Sequence, residues 1–400
     1  MASFRNILSQ VIGTLDEGFD IFRARLRRPL QKTSGIQIIP YRGFSNGSSL
    51  FLKGRVLWRP FTARARDRES AWRNLLDTYR RFNTHEMPGV DVELRWHDSL
   101  HITTTDEEGY FSFQLDNLPG PTDFPMIWNK LDLRMVTQTA DKPAVTAADV
   151  LIPPKTAQFG IISDIDDTIL VSNATHKLRM AKLAFFHSAR TRMPFAGVAS
   201  FYRALQKGTL PGVFNPLFYV SSSPWNLYDM LTDFFEWQGI PIGPLMLRDI
   251  GVNRTQIGGP SHHSHKLLQI EQIMSMYPGL SFILIGDSGQ HDPEIYQQVV
   301  QQYPNRVLAI YIRDVSKDKR DIAVQSIISS LAETSVPMFL VPDTEVAAQH
   351  AAASGWIDSE ALKEIRADLN LPKPETVMPP ATAEITDQQR TTTAQGETSN

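Results

Sequence analysis

The sequence predicts an α/β protein in which a parallel sheet with helices on both faces follows a smaller, antiparallel, sandwich-like β domain. Three observations carry this reading. From about residue 156 onward, short apolar runs alternate with helical patterns, the signature of strands joined by crossover connections. From about 35 to 155 the texture is instead short runs of alternating polarity separated by turn residues. Between the two lies "LIPPKTAQ", a proline-marked joint.

Taken in order, residues 4–26 place Phe4, Ile7, Leu8, Val11, Ile12, Leu15, Phe19, Phe22 and Leu26 at helical spacings, which predicts an amphipathic helix within 1–34. It ends in "RARLRRP", cations at a helix C-terminus before a stopping proline. Two roles fit: a helix packed on a neighbouring domain, or one lying in a membrane interface with its arginines on lipid phosphates. The β domain, 35–155, is read from "IQIIPY", "SLFLKGRVLW", "VDVELRW", "HITTTDEEGYFSFQL" and "LDLRMVTQ", with "DEEG" as a hairpin turn. "DRESAWRNLLDTYRRF" interrupts it as a helical inset whose Arg68, Arg73, Arg80 and Arg81 could meet acidic partners but read first as a solvated helix face. The "TDEEGYF" stretch resembles the transthyretin-like sandwich modules appended to many enzymes.

The parallel domain, 156–345, takes its strands from "FGIIS", "LFYVS", "PLMLR", "SFILIG", "VLAIYI" and "PMFLV". A C-terminal helix falls in 346–371, starting at Ser359 with Leu362, Ile365 and Leu369 on one side. The Pro/Thr/Gln-rich remainder, 372–400, reads as a disordered tail.

Composition excludes several function classes. With 42% hydrophobic and 21% charged residues, 400 residues build a real core, and a net charge of -3 gives no global attraction to nucleic acid. The absence of cysteine removes disulfides, Cys-zinc sites and thiol nucleophiles, and suits a reducing cytoplasm. No stretch approaches the roughly 20 apolar residues of a membrane span, and the N-terminus lacks the pattern of a secretory leader. The expectation is a cytoplasmic protein without a transmembrane segment, able to work peripherally at a membrane.

Ligands of open parallel sheets bind beyond the carboxyl ends of the strands. There the first run ends in Asp164-Ile165-Asp166-Asp167-Thr168, where residues two apart face one side and Ile165 faces the core. The second ends "YVSSSPWN", bringing Ser221 as a hydroxyl donor. Lys266 opens the helix "HKLLQIEQIM", and "LIGDSGQHD" supplies Asp287 and Asp292. This chemistry suits a phosphomonoester. An ionised carboxylate nucleophile and a dianionic phosphate repel each other unless a cation intervenes. Mg²⁺ bridging Asp164, the phosphate and Asp287, with Lys266 nearby, would keep Asp164 charged. Asp166 would hold a proton, give it to the departing alkoxide, and take one from the water that follows. Ser221, with Ser222 and the amides after it, and Lys266 would hold phosphate oxygens.

The constellation resembles the haloacid dehalogenase superfamily, whose phosphatases carry D-x-D-x-[TV], a Ser or Thr after the second strand, a Lys and a late acid pair. Here these are Asp164, Asp166 and Thr168; Ser221; Lys266; Asp287 and Asp292. The resemblance implies a Rossmann-like fold with a small or absent cap, the metal set being drawn from Asp164, Asp166, Asp287 and Asp292, with Thr168 as support. A narrower resemblance rests on "FGIISDIDDTIL", "TRMPFAGVASFYRAL", "FYVSSSPWNLYDMLTDFF", "GPLMLRDIG" and "FILIGDSGQHDPEIYQQV". Together they are similar to the catalytic domain of the actin-patch-associated phosphatidate phosphatases, relatives of the lipins. That likeness implies Mg²⁺-dependent conversion of phosphatidate, a phospholipid at the membrane surface, to diacylglycerol. Two rival readings use the same residues: a phosphatase for a soluble or protein phosphoester, and a phosphatidate-binding sensor without turnover.

Other features read as structural. His262, His263 and His265 form a polar turn into the helix rather than a zinc site. Trp225 lines the entrance or, the favoured reading, plugs its helix onto the sheet; Arg192 contacts the substrate or serves in packing or a surface salt bridge; and Arg248-Asp249 could pair to position the Lys266 loop.

Overall fold

The computed structural model describes residues 35–58, 85–120, 124, 126–136, 143–169, 194–248, 262–315 and 319–370. The expected N-terminal helix, the helical inset, Arg192, Asp249, the segment that would form a cap and the tail lie outside these residues.

The N-terminal strands share one hydrogen-bonded network folded into a sandwich. β1 (Ile36–Pro40) and β2 (Gly43–Ser45) run along one edge of β3 (Leu50–Trp58), and β4 (His85–Glu86) with β7 (Tyr110–Leu115) line the other. From β2 the network continues through β9 (Val145–Leu151), β8 (Trp128–Val136), β5 (Asp91–Trp96) and β6 (Ser99–Thr104). Inward residues of the two layers meet in one core: Leu52, Val56, Phe111 and Phe113 with Val92, Leu94, Leu133 and Met135. Two details differ from the sequence reading. The β2–β9 pairing is parallel, Gly43 with Val150, so the sheet is not purely antiparallel. "DEEG" is not a hairpin turn either, because β6 pairs with β5 while β7 pairs with β3. The Asp106 carboxylate holds the turn by accepting from the Glu108 and Tyr110 amides. Gly109, at φ 78°, lets the chain approach β3, where a Cβ would meet the Val56 carbonyl at 2.6 Å.

The second sheet is parallel in every pairing, in the order β12 (Leu245–Arg248), β11 (Leu217–Pro224), β10 (Gly160–Ser163), β13 (Phe282–Asp287), β14 (Val307–Arg313), β15 (Met338–Val341). These correspond to the apolar runs of the sequence, buried on both faces as a parallel sheet requires. The chain runs outward one way from β10 to β12 and the other way from β13 to β15. The strand order therefore reverses between β10 and β13, where open sheets place their sites.

One face carries α1 (Val198–Lys207), α2 (Tyr228–Trp237), α6 (Thr344–Ala353) and α7 (Ser359–Asn370) against Ile161, Tyr219, Ile283 and Tyr311. The other carries α3 (His262–Met276), α4 (Asp292–Gln302) and α5 (Lys319–Leu331) against Ile162, Phe218, Leu284 and Ile310. α3 starts three residues earlier than the sequence reading has it, so the histidines belong to the helix rather than to a turn, and Lys266 sits in its second turn. α6 was not anticipated. Its "TEVAAQHAAA" packs through alanines, which give no large-residue periodicity, although Asp343 caps it through the Glu345 and Val346 amides.

The sandwich also closes the second sheet's flanks. Phe44, Phe51 and Leu151 enter the core around Phe218 and Tyr277, while Tyr41 stacks on Trp225 at 4.8 Å and 11°. The Arg42 amide donates to the Tyr228 hydroxyl at 2.8 Å, and the Tyr277 hydroxyl donates to the Ser45 carbonyl at 3.2 Å. Trp225 is thus a plug in the core between its helix and the parallel sheet, and Tyr41 of the sandwich stacks on it as well.

Candidate active site

The site grows from the two central strands. β10 is held by β11 on one side and β13 on the other, and the Asp164 amide extends the ladder by donating to the Ile285 carbonyl at 2.9 Å. The chain then turns. Asp167 adopts the left-handed conformation at φ 58°, and the Ile169 amide donates back to Ile165, whose side chain is fully buried. This turn sets Asp164 and Asp166 at the strand end, and the Thr168 hydroxyl donates to Asp164 Oδ2 at 3.2 Å.

β13 ends one strand away in Asp287. Immediately after it the chain folds into α4, whose first residue is Asp292. Asp292 Oδ2 accepts from the Asp287 amide at 3.0 Å, a contact possible only because residue 286 is glycine. A Cβ there would lie 2.5 Å from Asp292 Oδ2. From α3, Lys266 reaches in with Nζ 2.8 Å from Asp164 Oδ1 and in contact with Asp292 Oδ1.

Asp164, Asp287 and Asp292 each offer a carboxylate oxygen within 4.8 Å of the others, and all three are buried, as is Lys266. Three carboxylates and one ammonium sum to -2 when ionised, the deficit a divalent cation fills. Asp164 Oδ1 is buried, and its charged neighbour is the Lys266 ammonium at 2.8 Å, which leaves this oxygen with further acceptor capacity. These oxygen donors fit a hard cation such as Mg²⁺. The electrostatics say the same. Burial pushes the Asp164 carboxyl up to about 8, Lys266 opposing and Asp292 and Asp166 adding to the shift. Asp287 is likewise raised well above the usual carboxylate range by burial and by the neighbouring Asp292 and Asp164. Burial would lower Lys266, but the Asp164, Asp292 and Asp287 carboxylates outweigh it and hold the ammonium charged.

Asp166 stands apart from this acidic cluster. Its Oδ2 accepts from the Ser221 and Ser223 hydroxyls at 3.1 and 3.0 Å, and Ser221 Oγ also accepts from the Ser223 amide at 2.9 Å. Ser222 alternates to the other side of β11 and is half-buried. Of the residues the sequence singles out, the structure therefore gathers Asp164, Thr168, Lys266, Asp287 and Asp292 in one cluster and Asp166 with Ser221 beside it. Sequence reasoning passed over Ser223 and Gln290. Ser223 lies two residues from Ser221 and so on the same side of the strand, a signal present in "SSSP". The Gln290 amide nitrogen donates to Asp287 Oδ2 at 3.0 Å and to the Asp166 carbonyl at 3.1 Å, a tertiary contact with no local pattern to announce it.

The comparison with known proteins falls on this same stretch. Residues 159–314 match the family model for phosphatidate phosphatase APP1, catalytic domain. That span runs from the strand leading into Asp164 to the end of β14 and contains every site residue named above. The chain is 32% identical over 237 residues to phosphatidate phosphatase APP1 of Saccharomyces cerevisiae, a match covering 58% of this chain and 37% of the yeast protein. It is 27% identical over 192 residues to an uncharacterized protein of Schizosaccharomyces pombe, covering 46% of this chain and 31% of that one. The chain thus spans about a third of the length of these relatives. Among solved structures, the Pnkp1/Rnl/Hen1 RNA repair complex aligns at a TM-score of 0.25 and 11% identity over 52% of this chain and 49% of that one, too low to bear on function. No helix among the described residues is long and apolar enough to cross a membrane.

Proposed function

We propose that this protein is a Mg²⁺-dependent phosphatidate phosphatase of the haloacid dehalogenase type, cleaving phosphatidate to diacylglycerol and phosphate at a membrane surface. The observation that carries the reading is the coincidence of the APP1 catalytic-domain match with the buried Asp164, Asp287, Asp292 and Lys266 cluster at the strand-order reversal.

Asp164 is the nucleophile. Thr168 fixes its Oδ2, so the carboxylate is oriented before the substrate arrives. An Asp164 oxygen bonds to phosphorus as the bond from phosphorus to the alcohol oxygen breaks, and Asp166 protonates the departing alkoxide. Asp166 then takes a proton from the water that attacks phosphorus, and the bond to Asp164 breaks to release phosphate. The Ser221 and Ser223 hydroxyls hold Asp166 in place for both transfers. Lys266, kept charged by its carboxylate neighbours, offers its ammonium to the phosphate oxygens. Mg²⁺ held by Asp164, Asp287 and Asp292 would supply the positive charge that lets an ionised carboxylate and a phosphate dianion share the site.

The test is phosphate release from phosphatidate in phosphatidylcholine vesicles, with and without EDTA, for the native chain and Asp164→Asn, beside a panel of water-soluble phosphate esters. Loss of release with EDTA and in Asp164→Asn supports the proposal. Metal-independent release, or full activity in the variant, refutes it, and a preference for soluble esters transfers the same chemistry to another substrate.

A further inference from the structure

The turn after β13 carries a side chain whose position the phosphatase reading does not require. Gln290 directs one amide nitrogen at two oxygens, Asp287 Oδ2 and the Asp166 main-chain carbonyl. The Asp166 carbonyl can only accept, so the amide must present its NH₂ group to this pair of oxygens. A carboxylate oxygen and a carbonyl oxygen converging on one point, beside two further buried carboxylates, is a hard-cation environment. In it the amide's two N–H donors supply the positive partial charge.

We infer that Gln290 is a placeholder for the metal: its amide satisfies these oxygens in the metal-free protein and must withdraw when a divalent cation binds, so it sets the metal affinity. The inference rests on reading Asp164, Asp287 and Asp292 as the metal centre.

The rest of the turn is built to stay in place while this side chain moves. Asp287 Oδ1 is held independently by the Gly289 and Gln290 main-chain amides at 2.7 and 2.8 Å. Arg320, at the start of α5, donates to the Ser288 carbonyl at 2.8 Å and to the Gln290 carbonyl, and is itself paired with Glu294. The Ser288 amide donates to the Arg313 carbonyl at 2.9 Å. The backbone of 288–290 is thus clamped from three directions, and Asp287 keeps its orientation without the Gln290 side chain.

Gln290→Met keeps the length and volume of the side chain and removes its donors, while Gln290→Glu places an acceptor where the donor stood. Breaking two modest hydrogen bonds is part of the work of metal binding in the native protein and is absent in Gln290→Met. That variant should therefore bind Mn²⁺ and Mg²⁺ about 5- to 30-fold more tightly. Binding is read by calorimetry and by Mn²⁺ electron paramagnetic resonance on the full chain, and thermal midpoints are taken in EDTA and in saturating Mg²⁺. The expected pattern is tighter metal binding in both variants, a lower midpoint in EDTA, and a midpoint in Mg²⁺ close to the native one. Equal or weaker affinity in both variants overturns the proposal, because it would make Gln290 a support for Asp287. If the native chain binds neither metal, the metal-centre reading itself fails, a result distinct from failure of the placeholder.

Discussion

Protons and metal should compete for Asp164, and the extent of the competition follows from its burial. The carboxyl is raised to about 8, chiefly because charge is costly where the side chain is fully enclosed. A divalent cation requires the ionised form, so binding at neutral pH must expel the proton. A carboxyl raised this far above neutral releases most of a proton per metal at pH 7, and the apparent dissociation constant weakens on the order of tenfold for each pH unit below about 8. Asp287, raised in the same direction, adds to the release. The sign for folding follows. A carboxyl raised in the folded state favours the metal-free fold fully below the unfolded pKa of about 4, and this contribution is lost as pH rises through about 8. The stabilisation conferred by Mg²⁺ should therefore grow from pH 6 to 8.5. Calorimetric titration in two buffers of different ionisation enthalpy counts the protons, and thermal melts with EDTA or Mg²⁺ follow the stability. Metal binding that releases no protons, or an affinity flat from pH 6 to 8.5, would refute the electrostatic reasoning.

Two further changes probe the framework. Gly286→Ala adds a methyl whose ideal position is 2.5 Å from Asp292 Oδ2 and 2.7 Å from Asp292 Cβ, so Asp292 must leave the Asp287 amide and Lys266. We expect a stability loss of about 1–3 kcal/mol and at least a tenfold loss of Mg²⁺ affinity with a native circular dichroism spectrum; affinity within twofold of native would show that Asp292 is not a ligand. Tyr41→Ala removes a buried ring stacked on Trp225 and should cost about 3–5 kcal/mol in chemical denaturation. A loss under about 1 kcal/mol would mean that the sandwich only abuts the parallel domain.

How much of this was legible in the sequence depends on where each signal resides. The parallel sheet was legible because strands buried on both faces must be continuous apolar runs, and runs such as "SFILIG" have no other use in a chain of this composition. Asp164 and Asp287 were legible because each ends such a run, Asp292 because it opens the helix that follows, and Lys266 because it lies near the start of a helical pattern. Gln290 was not, since what marks it is a partner 124 residues away, whereas Ser223 had a faint signal in its two-residue spacing from Ser221. Strand pairing in the sandwich was hidden for the same reason. The turn at Asp106 has hairpin chemistry, and only the burial of Phe111 and Phe113 against the opposite layer sends β7 to β3 instead of β6. α6 escaped because alanine packs closely without leaving a hydrophobic stripe.

The boundary near residue 156 marks a change of strand texture but does not divide the core. Tyr41 and Tyr110 of the sandwich belong to the cluster on one face of the parallel sheet, and Phe44, Phe51 and Leu151 to the cluster on the other. Cutting the chain at the proline joint would bare both faces at once, each large side chain worth about 1.5–3 kcal/mol of burial. One of these contacts reaches the site directly: Trp225 follows, after one proline, the strand end that carries Ser221 and Ser223, and Tyr41 closes over it. Lys53, from the neighbouring β3, lies 5.2 Å from the same ring. The sandwich thus braces the segment whose Ser221 and Ser223 hydroxyls hold Asp166, although it supplies none of the carboxylates. Residues from both sides of position 156 therefore share both cores, although the sequence reads as two regions.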